Sequence, residues 1–213
     1  MQRRKLVLIG GGGHCKACID VIEQTNCFEI TGVLDQPHLV GTQVLGYPVI
    51  GTDDDIFKFH DQGNAFLITV GQIKSSAVRR RLYEELMASK AELPSIVSPK
   101  AYVSRHAAIG SGTIIMHQAV VNAGASIGQN CIVNTGAAVE HESGIGNHTH
   151  LSTFSVVNGN CSIGEQVFVG SHATVVNGIN VESCSIIGAG AVIIKNIDHP
   201  GTYIGNPARK VSS

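Results

Sequence analysis

The chain has 213 residues, a formal net charge of −1 and only 15% charged side chains. It is long enough to bury a core, too balanced in charge to bind nucleic acid by bulk attraction, and at 43% apolar residues not of disordered composition. No apolar run approaches the ~20 residues of a membrane span, and the one after the basic start is too short for a signal peptide. A cytoplasmic location is therefore expected.

Residues 1–92 read as a small α/β domain. Lys5–Ile9 is a short apolar strand, Gly10–Gly13 a tight loop, and His14–Thr25 a helix with Cys18, Ile19 and Ile22 at helical spacing. Phe28–Leu34 is a second strand ending at Asp35. Asp53–His60 opens on an N-cap-like Asp and reads as a short helix. Ala65–Val70 is a third strand ending at Gly71. Ser75–Lys90 is a helix whose Arg79-Arg80-Arg81 and Glu84-Glu85 are spaced for i,i+4 pairing. Strand alternating with helix predicts a parallel, Rossmann-like sheet. The Gly loop is suited to backbone N–H contacts with phosphate. It does not complete the dinucleotide fingerprint, because the third glycine position holds Cys15 or Lys16, although Asp35 stands where a ribose-binding acid belongs. A plain connecting turn is the alternative. Cys15 and Cys18 form a lone C-x-x-C with no second pair and no histidine at a zinc-site spacing, so no metal is expected.

Leu93–Pro99 reads as a linker into residues 93–213, where the pattern changes. From Val97 to Ile193 an Ile, Val or Leu recurs at every sixth residue, seventeen times without a miss. A mostly small side chain stands two places before each, as at Ala119, Ala125, Cys131 and Ala137. Period six fits neither helix nor simple strand. It fits two-residue strands joined by tight corners, with the large and the small residue both pointing inward. Three such strands close one prismatic coil, and stacked coils bury an aliphatic column.

This pattern, with Gly often following the large residue (Ile109-Gly110, Ile127-Gly128, Ile145-Gly146), resembles the hexapeptide-repeat acyltransferase family. The resemblance implies a left-handed parallel β-helix. The ending Gly205-Asn206-Pro207-Ala208-Arg209 is similar to the family's tail. Together with the strand–Gly-Gly-His–helix unit, the whole chain resembles one subfamily, the sugar-nucleotide acetyltransferases of the bacillosamine-pathway N-acetyltransferase and sialic acid O-acetyltransferase type. The resemblance implies that Gly12, Gly13, His14, Asp35, Gln36 and Gly71 hold a nucleotide sugar; Gln36 stands where the bacillosamine enzymes often carry a second acid.

Asn134-Thr-Gly-Ala-Ala-Val-Glu-His141-Glu142 resembles the subfamily's catalytic motif. It implies that His141 is the general base and Glu142 the carboxylate supporting it. Imidazole ordinarily titrates near neutrality, which suits removal of a proton as an amine or hydroxyl attacks a thioester. His117 lacks acidic flanks and reads as a surface residue, as do His106, His148 and His172, with an interface as the alternative for these three. By the same resemblance, acetyl-CoA is the co-substrate, meeting His150, Ser171 and Ala189, and the assembly is a homotrimer with active sites between subunits. Lys195, Arg209 and Lys210 are candidates for its phosphates. The expected activity is N-acetylation of the 4-amino group of a UDP-linked 4-amino-4,6-dideoxy sugar. O-acetylation of sialic acid is the nearest alternative, and a non-catalytic β-helix scaffold the third.

Overall fold

The computed structural model describes residues 3–211. The N-terminal part builds β1 (Arg4–Ile9), α1 (Gly13–Thr25), β2 (Phe28–Leu34), β3 (Gln43–Val44), β4 (Tyr47–Gly51), α2 (Ile56–Asp61), β5 (Ala65–Ile68) and α3 (Ala77–Ala88). The sheet order is β3-β4-β2-β1-β5. β1 runs parallel to β2 and β5, and β2 to β4, while β3 pairs antiparallel with β4. The β3–β4 hairpin falls in a stretch where the sequence pattern marks no strand. The helix expected from Asp53 is a 3₁₀ turn, Asp53–Asp55, followed by α2. Its capping box uses Thr52 rather than Asp53, with Thr52 N–H donating to Asp55 at 2.9 Å.

The remainder is a triangular parallel β-helix of seventeen two-residue strands, from Ile96–Val97 to Val192–Ile193. Each coil advances the chain by 18 residues, so Val121 lies beside Val103 on one side and Val139 on the other. The first face runs from Tyr102–Val103 to Val192–Ile193, the second from Ala108–Ile109 to Asn180–Val181, and the third from Ile96–Val97 to Ile186–Ile187. Two further strands, Thr202–Ile204 and Arg209–Val211, extend the third face. The hexad aliphatics from Ile115 to Ile193 and the small residues before them form one buried column. The first strand, Ile96–Val97, lies inside the stretch read as linker and pairs with Ile114–Ile115.

The two parts share a core. On the third face the outward positions Ile96, Ile114 and Ile132 are apolar, and they are at most 1% exposed because α1 packs over them through Cys15, Cys18, Ile19 and Ile22. His117 closes the rim of this contact and is not a surface residue. Its Nε2 lies 2.7 Å from Asp20 of α1, and its Nδ1 lies 2.6 Å from the buried Ser98 hydroxyl.

A cavity in the column has no flexible neighbours to collapse into it. Leu151→Ala is expected to lower the unfolding free energy by about 2–5 kcal/mol, measured by urea unfolding. A loss below about 1 kcal/mol would contradict a tightly packed column.

Candidate active site

The Gly loop lies at the C-terminal end of β1, beside the ends of β2 and β5. Gly10 has φ +98°, and a Cβ there would come within 2.5 Å of the Val70 side chain. Gly12 and Gly13 face open space. α1 starts there with no side chain capping its first N–H groups and no acidic residue in its first turn. That leaves the positive end of the helix dipole free for an anion. Asp35 braces the loop: its Oδ2 accepts the Gly11 N–H at 2.7 Å and its Oδ1 the Gln36 N–H at 2.8 Å. Each oxygen keeps a lone pair for a ligand. The loop opens into a cleft of about 670 Å³ whose lining includes Gly10–Gly12, Asp35, Gln36, Asp53, Val78 and Arg81.

The other side of the loop meets the β-helix. His14 and His150 approach to 6.5 Å between ring centroids, and Gly71 lies beside the Cβ of His14. His150 is 7% exposed, set edge-on to Phe168. Its Nδ1–H donates to the Gln72 carbonyl at 2.5 Å, which leaves Nε2 to accept from Asn134 at 3.3 Å. The tautomer is thus fixed by a partner that can only accept. Burial, reinforced by the positive charge of Arg79, pulls His14 down to about 3. Burial is also the main cause holding His150 at about 4, against the Gln72 bond, which favours protonation. Both rings are neutral at pH 7.

His141 and Glu142 form the corner between the first and second faces. His141 Nδ1 lies 3.6 Å from Glu142, and both side chains are exposed, at 57% and 72%. The coil geometry builds their seat. One coil on, Gly159 underlies the His141 ring, and a Cβ there would stand 2.7 Å from Cε1 and Nε2. One coil back, Gly124 underlies Glu142. Ser171 and Ala189 occupy a different corner, between the third and first faces, one coil apart. Lys195, Arg209 and Lys210 line a groove of about 370 Å³ at the C-terminal end.

The structure therefore brings Gly12, Gly13, His14, Gly71 and His150 together, with Asp35 and Gln36 in the adjoining cleft. It sets Ser171 and Ala189 on one corner and His141 with Glu142 on another. Gly159 adjoins the His141 ring, Gln72 and Asn134 bond to His150, and Arg79 bonds to the Val70 carbonyl. Gly159 was readable as the residue 18 after His141. Arg79 was readable from its spacing with Leu82, Tyr83 and Leu86, which makes it part of the buried stripe of α3. Among the described residues no group of three or more metal-ligating side chains occurs, and no helix is long and apolar enough to cross a membrane.

Comparison with known proteins agrees with this architecture. Residues 5–86 match the PglD N-terminal domain family model. The acetyltransferase domain of PglB from Neisseria gonorrhoeae superposes with a TM-score of 0.92 at 33% identity, over 98% of this chain and 100% of that one. The chain belongs to the hexapeptide-repeat sugar-nucleotide acetyltransferase family. Its fold is accordingly the Rossmann-like domain followed by a left-handed β-helix. The same PglB domain has been solved with acetyl coenzyme A. PerB from Caulobacter crescentus, solved with CoA and GDP-perosamine, aligns at 30% identity and a TM-score of 0.91, over 98% of this chain and 97% of that one. A curated relative, UDP-N-acetylbacillosamine N-acetyltransferase from Bacillus subtilis, is 34% identical over 116 residues, 53% of this chain. The matched stretch spans about half (51%) of that relative's length.

The two neutral histidines tie stability to pH. Their folded values lie below the ordinary 6.5 of the unfolded chain, so their contribution is complete above about pH 6.5 and is lost as pH falls towards 4 and 3. Tm is expected to fall across that window. His150→Asn, which keeps a donor for the Gln72 carbonyl but does not titrate, is expected to flatten the curve. Parallel curves for the two proteins would contradict the assignment.

Proposed function

We propose that this chain transfers the acetyl group of acetyl-CoA to the 4-amino group of a nucleotide-linked 4-amino-4,6-dideoxy sugar, with a UDP-linked sugar as the first candidate. The observation that carries the reading is the corner His141–Glu142, seated between two glycines one coil away on either side. A protruding side chain at Gly159 would occupy the space of the ring. The carboxylate faces Nδ1, which leaves Nε2 as the basic nitrogen. In the step proposed, the sugar nitrogen attacks the thioester carbonyl, His141 takes the ammonium proton as the C–N bond forms, and the C–S bond breaks to release coenzyme A.

In this reading the diphosphate sits at Gly12–Gly13 and the start of α1, with Asp35 and Gln36 towards the nucleoside. His14 and Gly71 face the sugar. Acetyl-CoA runs along the corner of Ala189 and Ser171 towards His150, with its phosphates near Lys195, Arg209 and Lys210. His141 and the Ser171–Ala189 line belong to different corners of one prism, so the complete site takes its base from a second copy. That requirement supports a homotrimer with active sites between subunits. The nucleotide is the open choice, because the relatives named above act on or bind both a UDP-linked and a GDP-linked sugar, and Gln36 supplies an amide rather than a second acid.

The test is release of coenzyme A thiol from acetyl-CoA with UDP- and GDP-linked 4-amino sugars, run beside sialic acid and a no-acceptor control. Turnover with an amino sugar is expected; turnover with sialic acid alone would replace N- by O-acetylation. His141→Ala is expected to lower kcat by about 10²–10⁴-fold with Tm nearly unchanged. Wild-type turnover in that variant would remove His141 as the base. Gly159→Ala leaves His141 in place but denies the ring its seat. It is expected to lower kcat by about tenfold or more, and an unchanged kcat would show that the seat is irrelevant.

A further inference from the structure

Three consecutive arginines open α3, and they have different fates. Arg80 pairs with Glu84 and Arg81 with Glu85 and Asp53, all on the surface. Arg79 is 1% exposed. Its two terminal nitrogens donate to neutral acceptors only: the Ile68 and Val70 carbonyls, both at 2.7 Å, and Asn130, whose Oδ1 is at 2.8 Å. Its Nε has no hydrogen-bond partner among the described residues. A buried guanidinium without a carboxylate is costly to fold around.

Its position suggests what offsets that cost. The Val70 carbonyl it grips belongs to the residue pressed against Gly10 of the loop, and the next residue, Gly71, lies against His14. The Val70 backbone thus stands between the guanidinium and Gly10, where the loop begins. Its charge bears on His14, the residue that follows the loop, where after burial it is the next cause holding the ring unprotonated.

We propose that Arg79 is the electrostatic counter-charge for the diphosphate of a nucleotide sugar at the Gly10–Gly13 loop, acting from behind the loop without touching the ligand. This rests on the nucleotide-sugar reading of that loop. It makes Arg79 a positioning residue whose charge is balanced only when substrate is bound, and low-dielectric surroundings let that charge act at a distance.

The experiment measures the Kd of UDP, GDP, the matching nucleosides and acetyl-CoA for wild type, Arg79→Met and Arg79→Lys. Arg79→Met is expected to weaken the preferred diphosphate by about tenfold or more while nucleoside and acetyl-CoA affinities stay the same. Arg79→Lys keeps the charge but not the fork, and is expected to recover most of the diphosphate affinity. Equal losses in both variants, or a parallel loss of acetyl-CoA affinity, would reduce Arg79 to a structural clamp. If Arg79→Met does not fold, the Arg79 Nε–H resonance of the wild type decides: it is expected to shift with the diphosphate and not with the nucleoside, and an unmoved signal overturns the proposal. Wild type that binds neither UDP nor GDP would instead sink the reading of the loop itself, before any substitution is made.

Discussion

Every other feature of the molecule hangs on the aliphatic column of the β-helix. A two-residue strand has almost no surface of its own to bury, so the coils hold only as a stack, each hexad residue packed between those 18 before and 18 after it. That packing fixes the chain's advance per coil, and the advance fixes what stands above and below each corner. Gly159 lies under His141 and Gly124 under Glu142 because of this arithmetic. An exposed histidine at a turn would ordinarily sample several rotamers. Here the column, through Gly159, gives the ring a flat floor.

The second constraint is the docking of the α/β domain on the third face. Ile96, Ile114 and Ile132 direct their side chains outward, against the usual rule that only alternate strand positions are apolar, and α1 covers them. Once that contact forms, the loop after β5 is pressed onto the β-helix. Gln72 gives its carbonyl to His150 and its side-chain amide to the His148 carbonyl. The apolar contact thus positions polar groups that neither part could hold alone, and the neutrality of His14 and His150 follows from their enclosure.

Much of this was legible in the residues. The hexad series from Val97 to Ile193 announces the β-helix because its period matches no other element, and the Gly loop with its flanking strand and helix announces the α/β domain. The β3–β4 hairpin was not legible: Gln43–Val44 and Tyr47–Gly51 are short, the second contains Pro48, and only the second pairs with β2. His117 misled, because acidic flanks in sequence are a poor guide when the partner, Asp20, comes from another domain. Arg79 stands among three arginines, two of which make the i,i+4 pairs that the spacing implies, and only its place in the stripe of Leu82, Tyr83 and Leu86 sets it apart. The distribution of the site residues over separate corners emerges only when the coils are wound.

The difference between six and eighteen carries an evolutionary consequence. Loss of one hexad would keep every aliphatic residue pointing inward and would leave a stable stack, yet it would rotate all that follows by one third of the prism. Corner residues beyond the deletion would then face a different neighbour. Loss of a whole coil would shorten the prism and keep its faces. Length variation in such a chain is therefore quantised twice, by six for folding and by eighteen for function, and the first kind can abolish an active site without disturbing the core that supports it.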